Sequence, residues 1–268
     1  GKNKVRLSQN TGTNAATFSP NFQYYINTFS SASQPTTYTL NEAKVGKQVQ
    51  VIENNESLAS KLKSYNLPAK EFFVLKTAKG NELNAWVIKP KDFDPTKKYP
   101  VFMYQYSGPG SQQVNNEWNS TDDYWFMMLS QQGYIVACVD GRGTGFKGAD
   151  FKKVTQLQLG KYEVEDQIDA AKVIGNYAFV DKSRIGIFGW SYGGFMASNC
   201  IMKGNDVFKM AIAVAPVTNW RFYDSVYTER YMTTPQENAS GYDDNSPINH
   251  VDKLKGKFLL IHGSGDDN

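Results

Sequence analysis

Arg184-Ile185-Gly186-Ile187-Phe188-Gly189-Trp190-Ser191-Tyr192-Gly193-Gly194-Phe195-Met196-Ala197 is the stretch on which the reading of this chain turns. A short apolar run enters Gly-Trp-Ser-Tyr-Gly, and a helix start follows at Gly194. A G-x-S-x-G placed between strand and helix is a nucleophile elbow. The tight turn holds its serine in a strained backbone conformation that only small neighbours permit. Gly189 and Gly193 supply them, leaving the Ser191 hydroxyl projecting into a cleft. Without these flanks the same five residues are an ordinary glycine-rich loop. With them the pattern predicts a serine hydrolase.

Working outward, apolar strand-like runs at Val101–Tyr104, Tyr134–Val139, Arg184–Phe188, Met210–Ala215 and Phe258–Ile261 alternate with helical segments. The clearest helix is Glu163–Ile174, in which Val164, Ile168, Ala171 and Ile174 recur at helical spacing. Glu163, Glu165 and Asp166 fall in its first turn, where the helix dipole favours anions; a catalytic carboxylate is the sharper alternative. Near-continuous apolar strands alternating with helices predict a parallel sheet covered on both faces. Ahead of it, Phe72–Leu75 and Ala85–Ile88, joined through Gly80-Asn81, predict a hairpin. An antiparallel hairpin leading into such a sheet is the α/β-hydrolase arrangement.

The first forty residues differ. Ala15–Ser19, Tyr24–Phe29 and Thr36–Leu40 are short β-rich runs separated by Ser-Pro-Asn and Ser-Ala-Ser-Gln-Pro turns, the spacing of an antiparallel meander. Asn54-Asn55-Glu56 before Ser57–Leu62 predicts a capped short helix. Three short strands bury too little surface to be stable alone, so they are expected to pack on the main domain or to belong to something larger. Residues 1–50 are set apart, as a remnant, from an α/β domain over residues 51–268.

Composition narrows the function classes. Net charge is +3, from 29 basic against 26 acidic residues with no long basic run, which argues against nucleic acid as a partner. No apolar stretch approaches the roughly 20 residues of a membrane-spanning helix. Cys138 and Cys200, in an apolar strand and a helix, read as buried free thiols rather than a disulfide framework.

A serine hydroxyl needs a base, a group to orient that base, and donors for the oxyanion. The α/β-hydrolase order is Ser, then acid, then His. Downstream of Ser191, Asp266 lies just past the carboxyl end of the Phe258–Ile261 run, where active-site loops of open α/β sheets gather; Asp267 is second. Both histidines, His250 and His262, precede that acid. His262 reads as a structural residue of its turn and His250 as part of a surface loop. The base is expected beyond Asn268, so the 268 residues alone are expected to show negligible turnover.

One oxyanion donor is the backbone N–H of Tyr192. The second comes from the loop Gln105-Tyr106-Ser107-Gly108-Pro109-Gly110, in which Tyr106 serves either as a phenol donor or as a packing aromatic. Between nucleophile and acid, Val217–Tyr231 carries Trp220, Phe222, Tyr223, Tyr227 and Tyr231, an apolar pocket for a ring-shaped group or a lid packed on the core. Asp224, Glu229 and Arg230 are expected to form a local ion-pair network. No metal or cofactor is expected.

Gly189-Trp190-Ser191-Tyr192-Gly193-Gly194, Asp140-Gly141-Arg142-Gly143-Thr144-Gly145, Glu163-Val164-Glu165-Asp166-Gln167 and Asp224–Met232 together resemble the prolyl oligopeptidase family of serine peptidases, and within it the dipeptidyl peptidase IV branch. Tyr106-Ser107-Gly108-Pro109 with Ser111-Gln112 fits the same branch. The resemblance implies an α/β-hydrolase domain behind a β-propeller, whose last blade is Thr17–Leu40, and removal of X-Pro or X-Ala dipeptides from free N-termini. It implies Ser191 as nucleophile, Asp266 as triad acid, and Tyr106 with Tyr192 at the oxyanion. Tyr192, Val217, Trp220, Tyr223 and Tyr227 would form the pocket for the penultimate proline, and Asn268 would contact the substrate carbonyl. A homodimeric, exported parent (periplasmic, secreted or membrane-anchored) is also implied. A prolyl tripeptidyl peptidase of the same family, and a non-catalytic fragment or binding module, are the alternatives.

Overall fold

The computed structural model describes residues 4–266, which fall into two units: the residues up to Lys70 with Asn115–Met127, and Glu71–Val114 with those from Met128 on. In the first unit β1 (Thr13–Phe18), β2 (Tyr24–Ser31), β3 (Gln34–Glu42) and β4 (Gln48–Glu53) pair antiparallel in chain order. The expected meander is β1 to β3. β4 is a further strand, and it carries the sheet past residue 50 to Glu53. All six of its residues are exposed, so it is a strand by pairing with β3 rather than by burying a face.

Helix α1 (Glu56–Ser64) follows. The Asn54 side chain accepts from Glu56 N–H at 3.2 Å, while Asn55, at φ 53°, turns its own amide to the carbonyl of Thr36. The N-cap residue, Asn55, therefore makes no side-chain cap, and Asn54 meets the first helical N–H in its place.

The second unit opens with β5 (Lys70–Lys76) and β6 (Glu82–Ile88), joined by the expected turn, in which Thr77 N–H donates to Asn81 O at 2.9 Å. Next come β7 (Tyr99–Tyr104), α2 (Ser120–Gln131, begun in the first unit), β8 (Ile135–Asp140), α3 (Ala149–Lys153) and α4 (Tyr162–Gly175). Then follow β9 (Val180–Trp190), α5 (Tyr192–Lys203), β10 (Met210–Val214), α6 (Ser225–Met232), α7 (Ala239–Asp243) and β11 (Lys257–Ile261). Short 3-10 turns occupy Trp220–Phe222 and Pro247–Lys253, so His250 sits in a helical turn and not in an open loop.

The seven strands lie in the order β11-β10-β9-β7-β8-β6-β5. Neighbours from β11 through β8 pair parallel, and β6 pairs antiparallel with β8. All six residues of β8 are buried, as a strand covered on both faces requires. Every residue of α5 from Tyr192 to Met202 is buried too. Such continuous burial explains why β8 reads as an unbroken apolar run up to Asp140, while α5 also buries Ser198 and Asn199, which donate to backbone carbonyls. Cys138 in β8 and Cys200 in α5 are buried free thiols.

Candidate active site

Register places the pieces. Tyr104 of β7 lies opposite Phe188 of β9, Trp190 opposite Val214 of β10, and Val214 opposite Ile261 of β11. These strands are parallel, so the segments after Tyr104, Trp190, Val214 and Ile261 all leave the sheet at its carboxyl end. There the chain turns sharply. Ser191 N–H donates to Val214 O at 2.8 Å, and Ala215 N–H to Ile261 O at 2.7 Å.

Ser191 sits at φ 58°, ψ −116°, a conformation L-residues rarely adopt. The helix begins at Tyr192, two residues earlier than the sequence suggests. Tyr192 N–H is thus among the first-turn donors that a helix leaves unpaired, at its positive end. A Cβ on Gly189 would meet the Gly193 carbonyl oxygen at 2.2 Å, and one on Gly193 would meet Gln105 O at 2.6 Å. The turn closes only without those side chains.

The Tyr106 ring lies 6.1 Å from that of Tyr192. From Tyr192 the aromatics continue: Trp220 at 5.7 Å, then Tyr227 stacked on Trp220 at 6.2 Å and 12°, with Tyr223 edge-on to both. Trp220 is 1% exposed and Val217 is buried, while Tyr223 and Tyr227 are half-buried. The structure therefore gathers Tyr106, Tyr192, Trp220, Tyr223 and Tyr227 into one ring cluster beside the serine. The ion pairs expected among Asp224, Glu229 and Arg230 do not form among the described residues. Asp224 instead caps α6, accepting Tyr227 N–H at 2.8 Å, and Arg221 pairs with Asp243 at 2.7 Å.

Asp266 is exposed in a turn closed by its own N–H on Gly263 O, with Oδ2 3.8 Å from His262 Nε2. His262 Nδ1 lies 3.2 Å from Gly263 O. Asp266 follows β11 and Ser191 follows β9, both at the carboxyl end of the sheet with β10 between them; no described contact joins the two side chains. His250 Nε2 lies 2.7 Å from Asp244 O, and burial lowers its pKa. Asp267 and Asn268 lie outside the described residues.

Several groups that hold the site have partners that no sequence motif identifies. Gln105, 1% exposed, donates through Nε2 to Gly193 O at 2.8 Å. Asp140, at the end of β8, accepts the N–H groups of Gln113 and Val114 at 2.9–3.1 Å, fixing the far end of the Tyr106 loop. Burial pushes its pKa to about 6 against those bonds. Asp166, fully buried, takes both Nε and Nη2 of Arg142 and the Arg142 backbone N–H. Arg142 also bonds Glu165, which meets Lys79. Glu163 accepts the Tyr192 hydroxyl at 2.7 Å. First-turn placement of these acids suits the helix dipole, but their side chains serve specific partners. The acidic run was visible in the sequence; which acid met which partner was not.

A separate cavity of about 300 Å³ is lined by Phe72, Phe73, Val87, Ile135, Tyr177 and Phe179, among others, and its Val180 begins β9, whose opposite end carries the elbow. Its lining includes no serine, cysteine or histidine, so chemistry and strain, not volume, locate the candidate site.

A serine at a strained strand-to-helix turn, at the carboxyl end of a mostly parallel sheet entered by a hairpin, is the arrangement of the α/β-hydrolase fold. Residues 119–268 match the prolyl oligopeptidase family, and the chain belongs to it. It is 47% identical over 234 residues to dipeptidyl aminopeptidase B of Saccharomyces cerevisiae, covering 84% of this chain and 28% of that protein. It is 41% identical over 259 residues to dipeptidyl peptidase 4 of Trichophyton equinum, covering 94% and 33%. The crystal structure of Porphyromonas gingivalis dipeptidyl peptidase 4 superposes with a TM-score of 0.96 at 52% identity, over 99% of this chain and 37% of that one. The chain thus spans about a quarter to a third of the curated relatives it matches.

Proposed function

We propose that the protein containing this chain is a serine exopeptidase that releases X-Pro or X-Ala dipeptides from free N-termini. One observation carries the reading: the strained Ser191 elbow shares its first helical residue, Tyr192, with the Trp220–Tyr223–Tyr227 ring cluster. A nucleophile is thereby set against a flat apolar pocket suited to a proline ring.

In this reading Ser191 Oγ attacks the carbonyl of the penultimate residue while a histidine takes its proton. The Tyr192 N–H and the Tyr106 phenol receive the developing oxyanion. Collapse expels the shortened peptide, whose amine takes the proton back from the imidazolium. Water, deprotonated by the same histidine, then hydrolyses the acyl-enzyme and restores Ser191. Asp266 orients the histidine, which in the order Ser, acid, His follows the acid in the chain. His250 Nε2 lies 2.7 Å from Asp244 O and His262 Nδ1 3.2 Å from Gly263 O, and neither ring has a described contact with Ser191, which supports a different histidine for that part.

The test uses the full-length enzyme and a form limited to these 268 residues, each with X-Pro chromogenic substrates and a fluorophosphonate probe. The full-length enzyme is expected to release dipeptides and to lose that activity in Ser191→Ala. Release of tripeptides moves the assignment to a tripeptidyl enzyme, and silence on all X-Pro and X-Ala substrates overturns it. Robust hydrolysis by the 268-residue form overturns the external base.

A further inference from the structure

We propose that Glu163 is a positioning residue of the elbow, whose buried carboxylate anchors the Tyr192 phenol and so fixes both the oxyanion N–H and one wall of the aromatic pocket. This rests on the function proposed above.

Glu163 is fully buried near the start of α4, and its two oxygens are committed to different elements. Oε1 accepts from Tyr192 of α5 at 2.7 Å, and Oε2 accepts the N–H of Gly160 at 3.1 Å. Gly160 in turn abuts the Phe195 ring so closely that a Cβ there would meet it at 2.4 Å. Burying a carboxylate is costly, and most of the other side chains that α4 buries are neutral: Val164, Gln167, Ala170, Ala171 and Ile174. A purely structural contact at this point needs only another apolar residue.

What the carboxylate supplies is an acceptor. Tyr192 is held at its backbone by the helix start that follows Ser191 and at its hydroxyl by Glu163, so its ring has no freedom to tilt. With its proton pointed at Glu163, the phenol offers the pocket no donor. A proline ring, which has no N–H, suits such a wall.

The groups facing Glu163 are Tyr192 of α5, Tyr227 of α6 and Asp166 of its own helix. Burial raises its pKa to about 7, so acid gives Glu163 a proton that it can donate to Tyr192 and releases the phenol.

The test compares Glu163→Gln, Tyr192→Phe and the double variant in the full-length enzyme. Each single change is expected to lower kcat on X-Pro substrates about ten-fold, the scale of one charge-assisted hydrogen bond, with KM less affected. The double variant is expected to lose no more than either single one. The acid limb of the wild-type kcat/KM profile is expected to contain an ionisation near pH 7 that Glu163→Gln removes. Fluorophosphonate labelling of Ser191, which needs no peptide, is expected to slow in parallel. That arm reports on Glu163 even if X-Pro turnover is absent and the assigned function fails. If Glu163→Gln does not fold, Tyr192→Phe breaks the same bond from the other side. Wild-type labelling rates in Tyr192→Phe, additive losses in the double variant, or an unchanged acid limb in Glu163→Gln overturn the proposal.

Discussion

The side-chain amide of Gln105 donates to the main-chain carbonyl of Gly193 at 2.8 Å, closed to solvent. One bond thus ties the loop that carries Tyr106 to the turn that carries Ser191. The Ser107 hydroxyl holds the amide in that orientation by donating to Gln105 Oε1 at 3.1 Å, and Gln167 donates to Ser107 and to Val139 O behind it. Ser191 and Tyr106 are therefore spaced by a buried polar chain rooted in the sheet.

Gln105→Leu removes that tie. Stability is expected to fall by about 1–3 kcal/mol, the cost of unpairing a buried polar partner, measured by urea unfolding. In the full-length enzyme kcat is expected to fall more than KM rises, because the Tyr106 loop loses its link to the elbow. Unchanged kcat with lowered stability makes Gln105 structural only.

Gly189→Ala places a methyl 2.2 Å from Gly193 O and 2.4 Å from Gly193 C, backbone against backbone with no flexible tip to yield. A loss of at least about 3 kcal/mol is expected, with fluorophosphonate labelling of Ser191 abolished. Labelling at the wild-type rate contradicts the close approach.

Asp140 makes stability depend on pH with an unusual sign. Its folded pKa of about 6 lies above the ordinary 3.8, so between those values the folded state binds the additional proton. This group's contribution to stability therefore declines as pH rises from about 4 to about 6, by something on the order of 2–3 kcal/mol. Urea unfolding across that range is expected to show a flatter profile in Asp140→Asn than in the wild type. Parallel profiles rule out Asp140 as the source.

Arg142→Ala leaves the fully buried Asp166 without its guanidinium and is expected to cost about 3–5 kcal/mol in urea unfolding. Arg142→Lys recovers only part, since an ammonium cannot present the paired Nε and Nη2 donors that Asp166 accepts. Full recovery by lysine shows that charge alone, not the fork, is what Asp166 requires.

The strands of the large sheet were legible because burial on both faces forces unbroken apolar runs, as in Ile135–Asp140. Helix α4 was legible because fourteen residues give the helical period room to repeat. The five-residue helices α3 and α7 complete too few turns to show one. β4 carried only a Gln-Val-Gln-Val alternation, and with no face buried that pattern had no core to point to. In the site, Ser191 and the ring-bearing residues were readable from a local motif and a dense aromatic segment. Their anchors were not, because a glutamine, an aspartate or a glutamate looks alike in sequence whether it is solvated or buried.

By itself the sequence determined the family, and it singled out the candidate nucleophile, the candidate acid and the aromatic set, since each is written in residues close together in the chain. Tertiary structure alone decided that Gln105 reaches Gly193, that Asp140 holds Gln113 and Val114, and that Glu163 meets Tyr192. Those partners lie 26 to 88 residues apart. Strand order and register bring them together, and local periodicity carries no information about either. What the elbow needs to be rigid is supplied from across the sheet.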